Sequence, residues 1–210
     1  GKDTCADILI NNGLAKGKLS FAGPLKKICV EVFNLTVEHV HDQTLKEKEF
    51  VEPIILTERH LEHINFLMAK YKSFSYVDPD YYKLIGTQLV SPRHVLQFIG
   101  LQYIRNCIDN DWHLNAAFSK KVLENLESGT YCVTDARFVN EFNFLQINLG
   151  SDFNGFYIER PYAEEILEKA THQSELEVCE VRKLISKENI IYNDCSPEEL
   201  EIRLLNRFIE

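Results

Sequence analysis

No run of about 18 apolar residues occurs in the chain, so no transmembrane helix is expected. No C-x-x-C pair occurs among Cys5, Cys29, Cys107, Cys132, Cys179 and Cys195. Their gaps are wide and irregular, and several lie in apolar runs. That excludes a disulfide mini-scaffold and points to reduced, buried thiols in a cytoplasmic protein. No internal repeat, low-complexity tract or secretory leader is visible. Positive charge is scarce: Lys plus Arg is 23 against 32 for Asp plus Glu, a net charge of −9. Such a surface repels phosphate chains, so direct nucleic-acid binding is not expected, whereas a local basic pocket for a small anion is compatible with it.

What is present is ordinary for a folded domain. The 210 residues are 45% hydrophobic and 26% charged, which excludes disorder and suffices for a sizeable core. Residues 3–12 read as a helix stopped by Asn11-Asn12-Gly13. Leu19-Ser20-Phe21-Ala22 reads as a strand ending at Gly23-Pro24, followed by a helix to about Phe33. Residues 34–57 read as polar and irregular, 58–72 as helix, and 73–90 as a loop rich in Tyr and Asp. Ser91 caps a helix that opens with Pro92 and continues through Leu96, Ile99, Tyr103 and Ile104. Another helix is predicted over 111–126. Thr130–Thr134 reads as the clearest buried strand, and 138–148 as helix. A strand over 153–160 and a helix over 162–170 follow. Ile190-Ile191-Tyr192 is a late strand, and Ser196-Pro197-Glu198-Glu199 opens the last helix. Strands alternating with helices predict an α/β fold with a mostly parallel sheet, whose ligands bind beyond the carboxyl ends of the strands.

Several residue groups suit phosphate chemistry. Gly1-Lys2-Asp3-Thr4 runs straight into a helix: glycine frees the backbone amides to face phosphate oxygens, the helix adds its positive end, and lysine adds a mobile cation. The first half of a G-x-x-x-x-G-K pattern is not in the sequence, and Gly17-Lys18 is a second Gly-Lys pair without such a context. Gly23-Pro24-Leu25-Lys26 is a tight turn with a lysine one turn in. Arg93 and Gln97 share one helix face at i, i+4, and Arg105, Asp111 and Trp112 follow. Thr134-Asp135-Ala136-Arg137 places an acid and an arginine just beyond a strand. Glu159-Arg160-Pro161, His172-Gln173-Ser174-Glu175 and Asn193-Asp194 complete the series. His60 and His63 stand at i, i+3 without an evident third ligand, so a surface pair is expected there. His39 and His41 receive no role.

This succession resembles the deoxynucleoside monophosphate kinases of bacteriophages and large DNA viruses over almost the whole chain. Thr134, Asp135, Arg137, Asn140 and Glu141 carry the most specific element, T-D-x-R-x-x-N-E. Leu101 departs from the threonine of R-x-x-x-Q-x-x-G-T, whereas Asp3 after the lysine is normal for the family. The resemblance implies a P-loop kinase fold, with helices flanking the sheet and helical acceptor-binding and lid insertions. It implies one domain over 1–210, an acceptor-binding insertion around 34–128 and a lid around 160–180. The implied activity is ATP-dependent phosphorylation of a deoxynucleoside monophosphate, with Mg2+, in the host cytoplasm of a virus. Such a reaction needs charge neutralisation, in-line positioning and exclusion of water.

On that resemblance Gly1, Lys2, Asp3, Thr4 and Arg160 bind ATP, with Lys2 on the β- and γ-phosphates and Arg160 reaching from the lid. Lys2, Asp135 and Arg137 are the catalytic set, and Thr4 and Asp135 belong to the magnesium shell. Phe21, Lys26, Arg93, Gln97, Trp112, Arg137 and Glu141 are acceptor-binding candidates. Residue chemistry also supports plainer uses: Asp135 as a helix cap, Arg93 as an exposed arginine, Trp112 as core, Glu141 as a helix acid paired with Arg137. Lys26 and Lys27 are not separable by sequence. Two other functions fit parts of the pattern. One is an inactive kinase-fold scaffold with protein partners, on the missing loop start and the aromatic residues of 71–82. The other is a phosphomevalonate-like kinase, on the G-K-D and G-P-L-K elements. Homodimerisation is left open.

Overall fold

The structure is a computed structural model that describes residues 1–119, 122, 124, 126–161 and 173–208, the side chains of 173–176 excepted. The helix expected over 162–170, residues 162–172 of the lid region and His172 lie outside the described residues, and Gln173, Ser174 and Glu175 are described by their backbone alone. The chain forms two compact units, one of Gly1–Ser20 with Leu126–Glu210 and one of Phe21–Asn125. Among the described residues no helix is long and apolar enough to cross a membrane.

The first unit opens with helix α1 (Lys2–Asn11), which ends where Gly13 takes a φ of +73°. Strand β1 (Gly17–Leu19) pairs in parallel with β4 (Tyr131–Val133), Gly17 opposite Tyr131. Strand β5 (Tyr157–Glu159) pairs in parallel with β6 (Ile190–Tyr192), Tyr157 opposite Ile190. Helices α8 (Val139–Leu149), α9 (Gln173–Leu184) and α10 (Pro197–Phe208) complete the unit. Ser196 caps α10 by accepting from the Glu199 amide at 3.3 Å. Cys5, Ile191, Leu200 and Leu204 form one buried cluster, and Phe142, Val181 and Ile185 another.

The second unit is mainly helical: α2 (Gly23–Val32), α3 (Val37–His41), α4 (Gln43–Glu47), α5 (Glu58–Ala69), α6 (Pro92–Gln97) and α7 (Trp112–Ala117). Strands β2 (Ile54–Ile55) and β3 (Gln88–Leu89) pair antiparallel. Leu25, Ile28, Leu61, Ile64, Ile99 and Trp112 belong to one large core.

Several expectations are corrected. The described strands form three separate pairs rather than one mostly parallel sheet, and one pair is antiparallel. β1 stops at Leu19, so Phe21 and Ala22 lie in the turn into α2 instead of in a strand. The residues of β4 are half-buried, since the strand is paired to β1 within a two-stranded sheet. Residues 34–57 contain two one-turn helices. Each is too short to show periodicity and each is held by a cap: Thr36 accepts from the His39 amide at 3.4 Å, Asp42 from the Leu45 amide at 2.8 Å. Residues 79–84 form a 3-10 turn behind Asp78 and Pro79. The helix after Pro92 changes type: Phe98–Ile108 is π-helical, with wider turns. Ile99, Tyr103, Ile104 and Ile108, four or five apart, therefore stay buried together. A side chain at Gly100 would come within 2.8 Å of Leu25, so the small residue lets this segment approach α2 closely.

Candidate functional site

The first unit brings strand ends together at the start of α1. Ser20, just past β1, donates to the Asp135 carboxylate at 2.6 Å, which ties the ends of β1 and β4 together. Thr134, beside it, donates to the Asp3 carboxylate on the first turn of α1 at 2.9 Å. Gly1 packs against the ends of β5 and β6. A β-carbon there would come within 2.6 Å of the Asn193 side chain and 2.9 Å of Ile158, with Arg160 Nε at 3.6 Å. Only glycine fits that approach without displacing a neighbour.

Lys2 follows on the first turn of α1. The residue is exposed as a whole, yet partial removal of water from its ammonium lowers its proton affinity below the usual lysine range. The Arg137 guanidinium lowers it further, Asp3 and Asp135 work in the opposite direction, and Arg160 again lowers it. Arg137, Arg160, Asp3 and Asp135 therefore all stand close enough to act on Lys2 electrostatically. Mutually repelling cations close together favour a polyanion. Thr4 is exposed on the same turn.

Arg137 is held by its backbone. Glu141, 3% exposed, accepts from the Arg137 amide at 2.8 Å and from the Phe138 amide at 3.1 Å. That is the N3 half of a helix cap on α8, a use of Glu141 different from contact with an acceptor. Lys18, of the Gly-Lys pair given no role, bonds Asp7 at 2.8 Å and stands 3.8 Å from Asp3. Ser20 and Asn193 are wall residues that sequence reasoning did not single out as site residues. Each lies one residue past a strand that ends at this helix, and Asn193 also belongs to the Asn193-Asp194 pair noted in the sequence.

Of the acceptor-side candidates, Arg137 and Glu141 lie in the first unit, and Phe21, Lys26, Arg93, Gln97 and Trp112 in the second. Arg93 forms an ion pair with Glu47 of α4. Lys26, on α2, is half-buried, whereas Lys27 is exposed, which separates the two lysines that sequence could not. Gln97 is half-buried on the last turn of α6, where the π-helical segment begins. Trp112 and Phe21 are corrected. Trp112 is 0% exposed within the core, edge-on to Tyr71 with ring centroids 6.0 Å apart. Phe21 is 2% exposed, edge-on to Phe118 at 4.9 Å. Neither ring has a free face on which a base could stack.

The paired histidines resolve into structural uses. His60 Nδ1 accepts from the Thr57 amide at 3.2 Å, and His63 pairs with Glu31 at 3.4 Å. Among the described residues no three His, Cys, Asp or Glu side chains converge as a metal nest. Magnesium, which takes one or two carboxylates and completes its shell with substrate phosphates and water, does not need such a nest.

No family model matches the chain. A curated protein of Acanthamoeba polyphaga mimivirus, named "Putative deoxynucleotide monophosphate kinase", is 26% identical over 218 residues, spanning 98% of this chain and 89% of that protein.

Proposed function

We propose that the chain is a nucleotide kinase that transfers the terminal phosphoryl group of ATP to a deoxynucleoside monophosphate. The observation that carries the reading is the gathering of Gly1, Lys2, Asp135, Arg137 and Arg160 where the strand ends meet α1. The near full-length similarity to a viral protein bearing a kinase name supports it. In the reaction an oxygen of the acceptor phosphate attacks the γ-phosphorus, the bond to the β–γ bridging oxygen breaks, and ADP leaves.

Little covalent chemistry is asked of the protein. Gly1 allows the backbone to approach phosphate, and Lys2 holds the β- and γ-oxygens. Arg137 neutralises charge on the group in transit, where a planar guanidinium suits phosphate, and Arg160 adds to it. Asp135 and Thr4 supply oxygens to the magnesium shell, and the ion neutralises phosphate charge when bound. Asp3, tied to Thr134, fixes the first turn of α1 against β4. Lys26, Arg93 and Gln97 take the acceptor.

The test is ADP production by the full chain with each of the four deoxynucleoside monophosphates. Activity with at least one is expected. Lys2→Ala and Arg137→Ala are each expected to lower kcat/KM by roughly 100-fold or more, the scale of a lost transition-state charge contact. Absence of transfer to every monophosphate refutes the reading.

A further inference from the structure

Arg93 is held by an acid that no motif singles out. Its side chain is 30% exposed, and its Nε is shut off from water without a well-aligned hydrogen bond, in ion-pair contact with a Glu47 carboxylate oxygen. The same oxygen accepts from Gln43 Nε2 at 2.9 Å, one turn earlier on α4. Glu47 is the more open partner, its side chain 51% exposed. It ends a five-residue helix, beyond which Val51 stands fully in solvent. Helices α2, α3 and α4 all pack near α6. Loss of water, and then Lys26 of α2 and Lys46 of α4, keep the His41 imidazole at the end of α3 below its ordinary proton affinity. Lys46 directly precedes Glu47 on α4, so a further cation accompanies the Arg93–Glu47 pair.

We propose that Glu47 is a stand-in anion: its carboxylate holds on Arg93 the place that the acceptor's phosphate takes. This rests on the kinase reading for the identity of the ligand, a nucleoside monophosphate. The exchange is favourable on general grounds. An exposed ion pair is worth about 1 kcal/mol or less, whereas a phosphate dianion forms paired, charge-assisted bonds with a guanidinium. Until the acceptor arrives, Glu47 and Gln43 keep Arg93 oriented. The acid is therefore a competitor of the substrate, and its removal strengthens acceptor binding.

The experiment is calorimetric titration of the full chain, without ATP, by the four deoxynucleoside monophosphates and their unphosphorylated nucleosides. Glu47→Gln is expected to lower the monophosphate Kd about three- to fivefold, the scale of one exposed ion pair, and Arg93→Ala to raise it at least about tenfold. Nucleoside binding is expected to respond to neither. An unchanged or weaker monophosphate Kd in Glu47→Gln overturns the proposal, as does absence of monophosphate binding in every protein. Should Glu47→Gln fail to fold, the wild-type Arg93 Nε–H resonance decides. It is expected to move with the monophosphate and not with the nucleoside, and the absence of that difference overturns the proposal. Tightening by Glu47→Gln without phosphoryl transfer would refute the kinase and keep the phosphate subsite. Transfer without tightening would do the reverse.

Discussion

His113 shows how a single buried group ties folding to pH. Its Nε2–H donates to the Gly100 carbonyl at 3.3 Å, so the neutral tautomer protonated at Nε2 is the one that fits. Burial, with the Arg105 guanidinium beside it, holds its pKa down to about 4, against opposition from the Gly100 carbonyl and Asp109. The unfolded chain takes up this proton near pH 6.5, and the folded chain does so only near pH 4. Stability from this group is therefore fully present above pH 6.5, falls as pH drops through that window, and loses on the order of 3 kcal/mol by its end. His113→Gln keeps a donor and removes the titration. The wild type is expected to lose urea resistance relative to His113→Gln between pH 6.5 and 4, and parallel profiles would count against the assignment. At this scale the sequence was informative where chemistry is local. That Asp135 and Arg137 stand just beyond a strand end was legible, because β-propensity and the turn residues after it mark where β4 stops. Trp112 and Phe21 were not, because a ring that lines a pocket and a ring that fills a core look alike until packing is known.

Among the elements, helix starts divide into those written in familiar residues and those written in histidine. Ser91-Pro92 and Ser196-Pro197 announce α6 and α10 directly. Thr36-Val37-Glu38-His39 and Thr57-Glu58-Arg59-His60 also open helices, with His in the place of the usual Glu or Gln of a capping box. The Thr36 amide donates to His39 Nδ1 at 3.0 Å, and the Thr57 amide to His60 Nδ1 at 3.2 Å. At α6 the Val90 amide donates to His94 Nδ1 at 3.4 Å. An imidazole accepts in this way only while neutral, and a cation at a helix N-terminus is unfavourable. Loss of water, and then His63, keep the proton affinity of His60 below normal, so its cap is present at neutral pH and lost on acidification. Replacing His60 by Gln, a usual residue at that position, is expected to raise Tm more at pH 5.5 than at pH 8. Loss of the ring contact with Phe33, centroids 5.0 Å apart, weighs equally at both pH values and leaves that difference intact. A difference independent of pH would rule out the cap. The S/T-x-x-H spacing was on view in the sequence, but His60 read as half of a surface pair and His39 was given no role. The π-helical turn left less trace, because four- and five-residue apolar spacings differ little from the α pattern over two turns.

For the whole molecule, the phosphate-end candidates fall in one unit and Lys26, Arg93 and Gln97 in the other. Each unit has hydrophobic clusters of its own. Ligand protection is therefore expected to be divided. In hydrogen exchange, an ATP analogue alone should slow amides at the start of α1 and after β4, and a deoxynucleoside monophosphate alone should slow those of α2, α4 and α6. Equal protection of both groups by either ligand would count against the division. The net charge of −9 was legible from composition, whereas the cations that act on Lys2 (Arg137 and Arg160) became visible only in the structure. The split into units was less legible, because it depends on contacts between distant segments rather than on any change of composition along the chain. The second unit is a single uninterrupted stretch, Phe21–Asn125, set between Ser20 and Leu126. On the proposed function, replacing that one continuous block would change which acceptor is taken while leaving the residues proposed to hold ATP untouched.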